Sequence, residues 1–523
     1  MRNFSVKRRN RVSGWLKGLM IIGIAWSLVG AGMYYRAGAT LKSRTSTPEA
    51  MLSHIRQARY AGFFPLKHRL DEMENVAVIL AGKKAIISDS AHLTHGTYQA
   101  LLNNLLAAHR LDTFSTLMDY LNHRRLSLPR FQAMYDFDHG NFSKAAPFLK
   151  DDPDFKGYFA TRSVPVVEGI LDVDMELGKF RAKLPGTSFL EKAVPLHRHF
   201  LAIYGSSLDP DIQKILYQSM GKWNGAFLVS ENSHLIGLCA KNMNPFQDVF
   251  EAGSVIKVVT MAAAIKEGAT VDFPYNCKGP IRIGGHIFYD WKKHGKLKSM
   301  ANSLASSCNL VFAETALKLG PEVEGRWLDR FGINNRSFSL GELSARLGEQ
   351  RTPLEEGDYA LARGAIGLDT AYITPYWLVR TAASLASDGR NVLPTPFTNE
   401  TVPGNGTLSL PSHSKAEFLF PEEALPSIEE GMLKAVNWEE GTGKRAAVAG
   451  IKLMLKTGTA GKSPYNSVLM GTFEVNGHRY AFGLFLEKAG RAEYNGTAVL
   501  RPALEKLRLR LMMLQKPEEV SHP

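Results

Sequence analysis

The chain has 523 residues, of which 45% are hydrophobic and 22% are charged. This composition is typical of globular domains and excludes a disordered, fibrous or disulfide-scaffold protein, and the length predicts two or three domains. The net charge is +13, but six of the basic residues lie in the first 17 positions. The remaining excess is spread along the chain, so we expect no nucleic-acid partner.

The N-terminus predicts a membrane anchor. Residues 1–17 carry the six basic side chains, and an uncharged, mostly apolar run of 18 residues follows at 18–35. We expect residues 1–17 to be a cytoplasmic basic tail and residues 18–35 a transmembrane helix with its positive end inside. The alternative is a cleaved signal peptide, since Ala37, Gly38 and Ala39 could form a small-residue cleavage site. Under either interpretation the rest of the chain lies outside the cytoplasmic membrane.

Residues 43–195 are predicted to form a mostly helical domain, to which the sequence assigns no role. One apolar helix face is indicated by four residues at positions i, i+3, i+4 and i+7: Phe114, Leu117, Met118 and Leu121. A second helical run covers 98–110. We expect these faces to pack into a core.

The chain after about residue 203 predicts an α+β domain. Short apolar runs at 225–230 and 235–240 form one β-hairpin, and 468–475 and 478–486 form another around Asn476-Gly477, which suits a type I′ turn. Helical stretches lie between and after the hairpins, at 254–268, 307–320, 375–389 and 497–514. We therefore expect an antiparallel sheet flanked by helices, with the terminal helix covering one side of the sheet.

Three short motifs are the candidates for chemistry. They are Ser254-Val-Ile-Lys257, Ser307-Cys-Asn309 and Lys456-Thr457-Gly458, which is followed by Thr459. Each is weak alone, and Ser-x-x-Lys also occurs at 219–222, at a helix end, and at 412–415, in a Pro/Ser/His-rich loop. The order and spacing of the three motifs, with the last on a predicted strand, make them informative together.

The first motif places a hydroxyl and an amine on one helix face. Ser254 begins a helical pattern that ends at Gly268, and Lys257 returns to the same face one turn later, within expected hydrogen-bond reach. This arrangement supplies a nucleophile and a nearby base. The alternatives are a helix N-cap for Ser254, a surface lysine for Lys257, and a second cap for Ser307 with Asn309.

The set of three motifs resembles the Ser-x-x-Lys, Ser-x-Asn and Lys-Thr-Gly motifs of the penicillin-binding proteins and serine β-lactamases. The resemblance covers about residues 203–514, the predicted transpeptidase domain, and implies a β-lactamase/transpeptidase-like fold. The preceding segment shows neither an acidic glycosyltransferase signature nor the Arg-Gly-rich start of a pedestal domain. The chain therefore resembles a divergent monofunctional member that belongs in the bacterial inner membrane, with a single span and its catalytic domain on the periplasmic or extracellular side.

The resemblance implies acyl transfer through a serine acyl-enzyme. Ser254 would attack the D-alanyl-D-alanine carbonyl of a peptidoglycan stem peptide, and a neutral Lys257 would act as the base. Ser307 would relay a proton to the leaving amine, and Asn309 would hold the substrate backbone. Lys456 would be the second cation, which lowers the pKa of Lys257.

The same resemblance assigns the binding groups. Lys456 and Thr457 would bind the terminal carboxylate, and the backbone N–H groups of Ser254 and Thr459 would form the oxyanion hole. Gly458 would let the strand approach the substrate closely. β-Lactams would acylate Ser254, because they present the same carbonyl geometry.

Neither a metal nor a cofactor is expected. The three cysteines Cys239, Cys277 and Cys308 form no CxxC or Cys/His pattern, and the basic loop at 290–298 indicates a solvated charge run. The alternatives to transpeptidation are a D,D-carboxypeptidase, a β-lactamase-type hydrolase and a catalytically quiet cell-wall scaffold. A transpeptidase of this kind implies a separate membrane glycosyltransferase or a division or elongation protein as its partner.

Overall fold

The computed structural model describes the catalytic region almost completely and the first hundred residues sparsely. The described segments are 28–36, single residues and pairs between 39 and 105, 111–123, 125–139, 141–149, 163–167, 169–174, 179–194, 205–340, 343–398, 401–402, 406–407 and 418–515. They fall into two compact units, one of Met1–Asp151 with His197–Phe200 and one of Asp152–Leu196 with Leu201–Pro523.

The predicted membrane anchor lies only partly within the described segments. Residues 28–36 are helical, whereas 1–17 and 18–27 lie outside the described residues. No helix in the described part of the chain combines the length and the apolarity that a bilayer crossing requires. The anchor therefore stays a prediction.

Among the continuously described residues after 110, the first unit forms α1 (Leu111–His123), α2 (Pro129–Asp138) and α3 (Phe142–Leu149). The predicted apolar face of α1 is confirmed, because all four of its residues are buried: Phe114, Leu117, Met118 and Leu121. Phe114 packs against Phe131 of α2 with their ring centroids 6.5 Å apart. Within the predicted run 98–110, the described residues Tyr98, Leu102 and Leu105 are helical and buried.

The prediction of a helical region up to residue 195 needs correction. A three-stranded antiparallel sheet lies within it, formed by β1 (Ser163–Val167), β2 (Leu171–Asp174) and β3 (Lys179–Ala182). Residues 152–196 also group with the catalytic unit. Strands of four or five residues are too short to show a clear alternation of apolar and polar residues. The sequence therefore does not separate this sheet from the helical region before it.

The second unit contains ten further helices within its described residues. They are α4 (Leu190–Ala193), α5 (Pro210–Met220), α6 (Lys257–Glu267), α7 (Met300–Ser306), α8 (Asn309–Leu319), α9 (Pro321–Arg330), α10 (Asp358–Gly364), α11 (Pro375–Ala386), α12 (Leu425–Asn437) and α13 (Thr497–Leu514). The predicted stretch 307–320 begins later than expected, because Ser307 ends α7 and α8 starts at Asn309.

Five long strands build the main sheet, and shorter strands surround it. The strands after β3 are β4 (Gly205–Ser206), β5 (Gly225–Glu231), β6 (His234–Lys241), β7 (Phe250–Glu251), β8 (Tyr275–Cys277), β9 (Ile281–Ile283), β10 (His286–Phe288), β11 (Gly295–Leu297), β12 (Ser337–Leu340), β13 (Leu343–Arg346), β14 (Gly348–Gln350), β15 (Ala371–Ile373), β16 (Phe397–Thr398), β17 (Thr401–Val402), β18 (Gly406–Thr407), β19 (Lys452–Ala460), β20 (Asn466–Val475) and β21 (His478–Leu486). The main sheet has the order β19-β20-β21-β5-β6 and is antiparallel throughout.

Both predicted hairpins are confirmed and lie side by side in this sheet. Strand β21 of the C-terminal hairpin pairs with β5 of the first hairpin, so that the two ends of the domain meet. This pairing leaves β19, the strand with Lys456, at one edge of the sheet. An edge strand has one row of backbone N–H and C=O groups free to face a ligand.

Helix α13 covers one face of the sheet, as predicted. Its apolar positions are buried in the main core beside sheet residues such as Phe482 and Leu484: Val499, Leu500, Ala503, Leu504, Leu507 and Leu511. Helix α11 packs on β20, β21 and β5, and Gly483 of β21 permits its close approach, since a Cβ there would lie 2.7 Å from the Cβ of Leu378. The sheet is thus enclosed by helices, which is the α+β architecture expected.

Candidate active site

The first motif sits on a tight turn. Gly253–Ile256 form one 3-10 turn that leads directly into α6 at Lys257. Gly253 has φ +57°, its N–H donates to Gly367 O at 2.9 Å, and its Cα faces Thr459 O so closely that a Cβ would lie only 3.0 Å away. The turn is therefore held between β19 and the loop after α10.

Ser254 is partly exposed on this turn and available for reaction. It lines the main cavity near the motifs. Its side chain caps neither the turn nor the helix, so the alternative interpretation as an N-cap does not hold. Its Oγ makes no hydrogen bond within the described part of the chain, which leaves a hydroxyl free to meet a substrate.

Lys257 does not make the expected hydrogen bond to Ser254. Its Nζ instead donates to Ser307 O at 2.8 Å, to Ser307 Oγ at 3.3 Å and to Asn309 Oδ1 at 2.7 Å. These three acceptors match the three N–H bonds of an ammonium group. The amine must release one of them to accept a proton from Ser254.

Ser307 lies between the two lysines. Its Oγ accepts from Lys456 Nζ at 3.0 Å as well as from Lys257 Nζ at 3.3 Å, and Lys456 Nζ also donates to Thr457 O at 2.7 Å. Ser307 has φ +57°, a left-handed conformation that non-glycine residues seldom adopt. The turn between α7 and α8 therefore aims this hydroxyl at both amines, and the hydroxyl can pass a proton between them.

Burial weakens the basicity of both amines. The side chains of Lys257 and Lys456 are fully buried. Loss of water contact lowers the pKa of Lys257 to about 8, although the negative charge of Asp290 opposes the shift. The same burial, together with the positive charge of Lys257, lowers the pKa of Lys456 well below its ordinary value. A neutral amine next to Ser254 is thus accessible near neutral pH.

Asp290 fixes the second motif and was missed in the sequence. Both carboxylate oxygens accept the backbone N–H of Asn309 at 3.1 Å, and Oδ1 also accepts the N–H of Trp291 at 2.8 Å. Burial opposes ionisation of Asp290, but contact with His294 and the charge of Lys257 outweigh it and hold its pKa below the usual range. Asp290 begins the basic loop at 290–298 and belongs to no motif, so the sequence does not predict its role.

The third motif is on edge strand β19, as predicted. Thr457 Oγ1 donates to Thr442 Oγ1 at 2.7 Å, and Thr459 Oγ1 accepts the N–H of Ala492 at 3.1 Å. A Cβ on Gly458 would lie 3.2 Å from the backbone N of Val255. Gly458 therefore lets β19 approach the turn that carries Ser254. The oxyanion hole from the N–H groups of Ser254 and Thr459 stays a prediction.

These groups meet in a cavity of about 470 Å³. Six of the eight predicted residues line it: Ser254, Ser307, Asn309, Thr457, Gly458 and Thr459. Lys257 and Lys456 are buried behind Ser307, so the structure brings all eight together. Charged residues that the sequence did not single out complete the wall: Glu251, Arg363, Asp369, Lys462, Arg491 and Glu493.

Glu251 joins several segments of this wall. Its Oε1 accepts the N–H of Asp369 at 3.2 Å, and its Oε2 accepts the N–H of Gly461 at 3.0 Å. Asp369 in turn forms an ion pair with Arg363. The loop after β19 and the loop after α10 are thereby tied together on one side of the cavity.

Comparison with known proteins agrees with this geometry. The family described as penicillin-binding protein transpeptidase domain matches residues 218–507, more than half of the chain. Peptidoglycan D,D-transpeptidase FtsI of Escherichia coli K12 is 26% identical over 269 residues, which cover 49% of this chain and 42% of FtsI. Penicillin-binding protein PbpB of Mycolicibacterium smegmatis is 29% identical over 263 residues, which cover 46% of this chain and 40% of PbpB. The chain thus spans less than half the length of these relatives.

Solved structures share the fold of the catalytic unit. The D,D-transpeptidase domain of a peptidoglycan glycosyltransferase from Eggerthella lenta superposes with a TM-score of 0.53 at 19% identity, over 61% of this chain and 85% of that one. Penicillin-binding protein A of M. tuberculosis, solved as a ceftriaxone acyl-enzyme, gives a TM-score of 0.51 at 17% identity, over 58% of this chain and 79% of its own. With the matched domain and the three assembled motifs, the chain belongs to the penicillin-binding protein transpeptidase family.

Proposed function

We propose that this protein is a peptidoglycan D,D-transpeptidase that works through an acyl-enzyme on Ser254. The observation that carries the proposal is the pair of buried lysines that share Ser307 Oγ, in the cavity that Ser254 also lines. The Ser254 hydroxyl makes no hydrogen bond with any residue that the structure describes. Relatives named as peptidoglycan D,D-transpeptidases support the substrate class. A neighbour solved as a β-lactam acyl-enzyme supports the covalent intermediate.

Acylation begins with a proton transfer. Neutral Lys257 takes the proton of Ser254, and Ser254 Oγ forms a bond to the carbonyl carbon of the D-alanyl-D-alanine peptide. The N–H groups of Ser254 and Thr459 stabilise the oxyanion that results. The proton returns through Ser307 to the leaving amine of the terminal D-alanine, and the peptide bond breaks.

The acceptor amine completes the reaction. The amine of a neighbouring stem peptide attacks the ester carbonyl of the acyl-enzyme and gives up one proton. That proton passes to Ser254 Oγ as the ester bond breaks and the new peptide bond forms. Asn309 Oδ1 accepts from Lys257 at 2.7 Å, so it positions the base as well as facing the cavity. We assign the terminal carboxylate of the donor peptide to Thr457, which lines the cavity, and to Lys456 behind Ser307, whose ammonium form the incoming negative charge stabilises.

A fluorescent penicillin tests the nucleophile. The full-length protein in detergent should form a covalent adduct of one penicillin per chain, seen by gel and intact mass, and Ser254→Ala should abolish it. The matched control is Ser219→Ala, since Ser219 begins the decoy Ser-x-x-Lys at the end of α5 and its loss should leave labelling unchanged. A folded wild-type protein that does not label would favour the scaffold alternative.

Product analysis tests the acceptor. A donor pentapeptide is supplied with and without an acceptor stem peptide, and the products are separated by mass. A cross-linked dimer supports transpeptidation. Release of D-alanine alone would favour a D,D-carboxypeptidase, and turnover of the penicillin itself would favour a β-lactamase-type hydrolase.

We also propose that residues 18–35 anchor the protein in the bacterial cytoplasmic membrane with the catalytic unit outside. The uncharged run directly after six basic residues supports this placement. A separate membrane glycosyltransferase or a division or elongation protein would then supply the glycan strands. Membrane fractionation and protease accessibility in spheroplasts test the topology, and in vivo cross-linking from exposed Phe148 of α3 tests for a partner.

A further inference from the structure

A buried cluster of four potential metal ligands lies beside the second motif. Strand β8 pairs with β11 so that Cys277 is opposite Gly295, which brings His294 next to Cys277. Asp290 precedes this loop, and Cys308 joins α7 to α8. These residues come from separate segments, and no CxxC or Cys/His spacing in the sequence predicts that they lie together.

The donor atoms of Cys277, Asp290 and Cys308 are close enough to share one ion, and His294 contacts Asp290 at the edge of this group. Cys308 Sγ lies 3.0 Å and Cys277 Sγ 3.5 Å from Asp290 Oδ2, and His294 Nε2 lies 3.5 Å from Asp290 Oδ1. The ligand atoms of Cys277, Asp290 and Cys308 all fall within 4.8 Å of one another. A tetrahedral zinc site with ordinary bond lengths separates sulfur from oxygen by about 3.5 Å and nitrogen from oxygen by about 3.3 Å.

His294 supplies an independent observation. Its side chain is 1% exposed, and neither ring nitrogen has a hydrogen-bond partner among the described residues. The contact of Nε2 with Asp290 Oδ1 at 3.5 Å is too long for a good hydrogen bond, and Nδ1 has no hydrogen-bond partner among the described residues. A buried polar group left unsatisfied costs about 1–3 kcal/mol, which a bound ion would offset. Its Nε2 faces the carboxylate that both thiols already contact, which is where an ion would lie.

We propose that Cys277, Asp290 and Cys308 bind one Zn²⁺ ion and that His294, which contacts Asp290, turns to the ion as the fourth ligand of a closed site. Two sulfurs, one imidazole and one carboxylate form a donor set that suits zinc, and full burial with no open position suits a structural rather than a catalytic ion. This inference goes beyond the proposed acyl transfer, in which no step uses the cluster.

The ion would hold the second catalytic motif in place. Cys308 lies between Ser307 and Asn309, and Asp290 accepts the N–H of Asn309. Binding Cys308 and Asp290 to one ion fixes both sides of the left-handed turn at Ser307. Removal of zinc should therefore slow acylation of Ser254 even though the ion does not touch the substrate.

A disulfide between Cys277 and Cys308 is the competing explanation for the paired sulfurs. It would occupy both sulfur atoms but leave His294 without a partner. Counting free thiols distinguishes the two states, because a zinc-bound protein yields all three cysteines to alkylation after denaturation with chelator and a disulfide yields only Cys239.

Metal analysis of the full-length protein tests the proposal. Protein purified in detergent without chelator should contain about one equivalent of zinc by mass spectrometry, as a closed site of this kind would. Cys277→Ser and His294→Ala should lose most of it. The matched control is Cys239→Ser, which removes the buried cysteine of β6 outside the cluster and should keep the zinc.

A second measurement uses the wild-type protein alone, so it does not depend on whether the variants fold. Wild-type protein stripped by a strong chelator is reloaded with Co²⁺, and thiolate-to-cobalt charge-transfer absorption should appear. Wild-type protein that holds no zinc and gives no cobalt signal would overturn the proposal, as would a disulfide or equal zinc in the Cys277→Ser variant. None of these readouts depends on penicillin labelling, so the zinc site and the acyl transfer can fail separately.

Discussion

Raising the pH from 6 to 8 should accelerate acylation of Ser254 by a large factor, because the base must be neutral. Burial of Lys257 lowers its pKa to about 8. The neutral fraction is then about 1% at pH 6 and about half at pH 8, so the second-order rate constant with penicillin should rise about fiftyfold. The sign follows from the amine, since protonated Lys257 cannot accept the proton of Ser254.

The structure explains why this pKa is low enough to matter. The shift from 10.5 to about 8 corresponds to about 3 kcal/mol of disfavoured charge. The negative charge of Asp290 opposes this shift, which prevents a still lower value. The rate should thus level off above pH 9.

Stopped-flow measurement with a chromogenic cephalosporin or fluorescent penicillin between pH 5.5 and 9.5 gives the profile. Lys257→Met should lower the rate at pH 8 by about a hundredfold or more and flatten the profile. The control is Lys266→Ala on the same helix, because Lys266 is half exposed and pairs with Glu423 at the surface. A flat wild-type profile between pH 6 and 8, or an unchanged profile in Lys257→Met, would refute the assignment of the base.

Three further predictions concern the pH dependence of stability, the packing of Gly458 against the turn that carries Ser254, and the core beneath α13. Burial raises the pKa of Glu324 to about 7, so the free energy of unfolding should fall by about 3 kcal/mol as the pH rises from 4.5 to 7. Urea titrations should show this fall in the wild type and not in Glu324→Gln. Gly458→Ala places a Cβ 3.2 Å from the N of Val255, which should slow penicillin acylation at least about tenfold and also lower the thermal midpoint, because such overpacking costs about 1–3 kcal/mol. Leu504→Ala, in the buried face of α13, should cost about 2–5 kcal/mol in denaturant unfolding, whereas Leu509→Ala, 60% exposed on the same helix, should cost less than about 0.5 kcal/mol.

Local patterns predicted the framework of the catalytic unit well. Asn476-Gly477 marks the turn between β20 and β21, and the apolar runs on either side of it predicted the two strands. The apolar stripe at 497–514 predicted α13 with its observed bounds. The bounds of these elements depend on residues a few positions away in the chain, so they can be predicted from the sequence.

The sequence failed where the partner of a group lies far along the chain. It predicted a Ser254–Lys257 hydrogen bond from helical spacing, but Lys257 turns to acceptors 50 and 52 residues away. Asp290 belongs to no motif, and nothing in the sequence predicts that Thr442 accepts a hydrogen bond from Thr457. The helical prediction through residue 195 missed β1–β3, because short strands lack a strong period.

The sequence by itself determined which residues can react, since the three motifs and their order identify the nucleophile, the amines and the amide. Only the tertiary structure decided what those groups can do. Burial of Lys257 and Lys456 lowers their pKa values, and the left-handed turn at Ser307 sets one hydroxyl between two amines that are 199 residues apart in the sequence. Proton affinity depends on desolvation and on charges within a few ångströms, and both arise only when distant segments pack together.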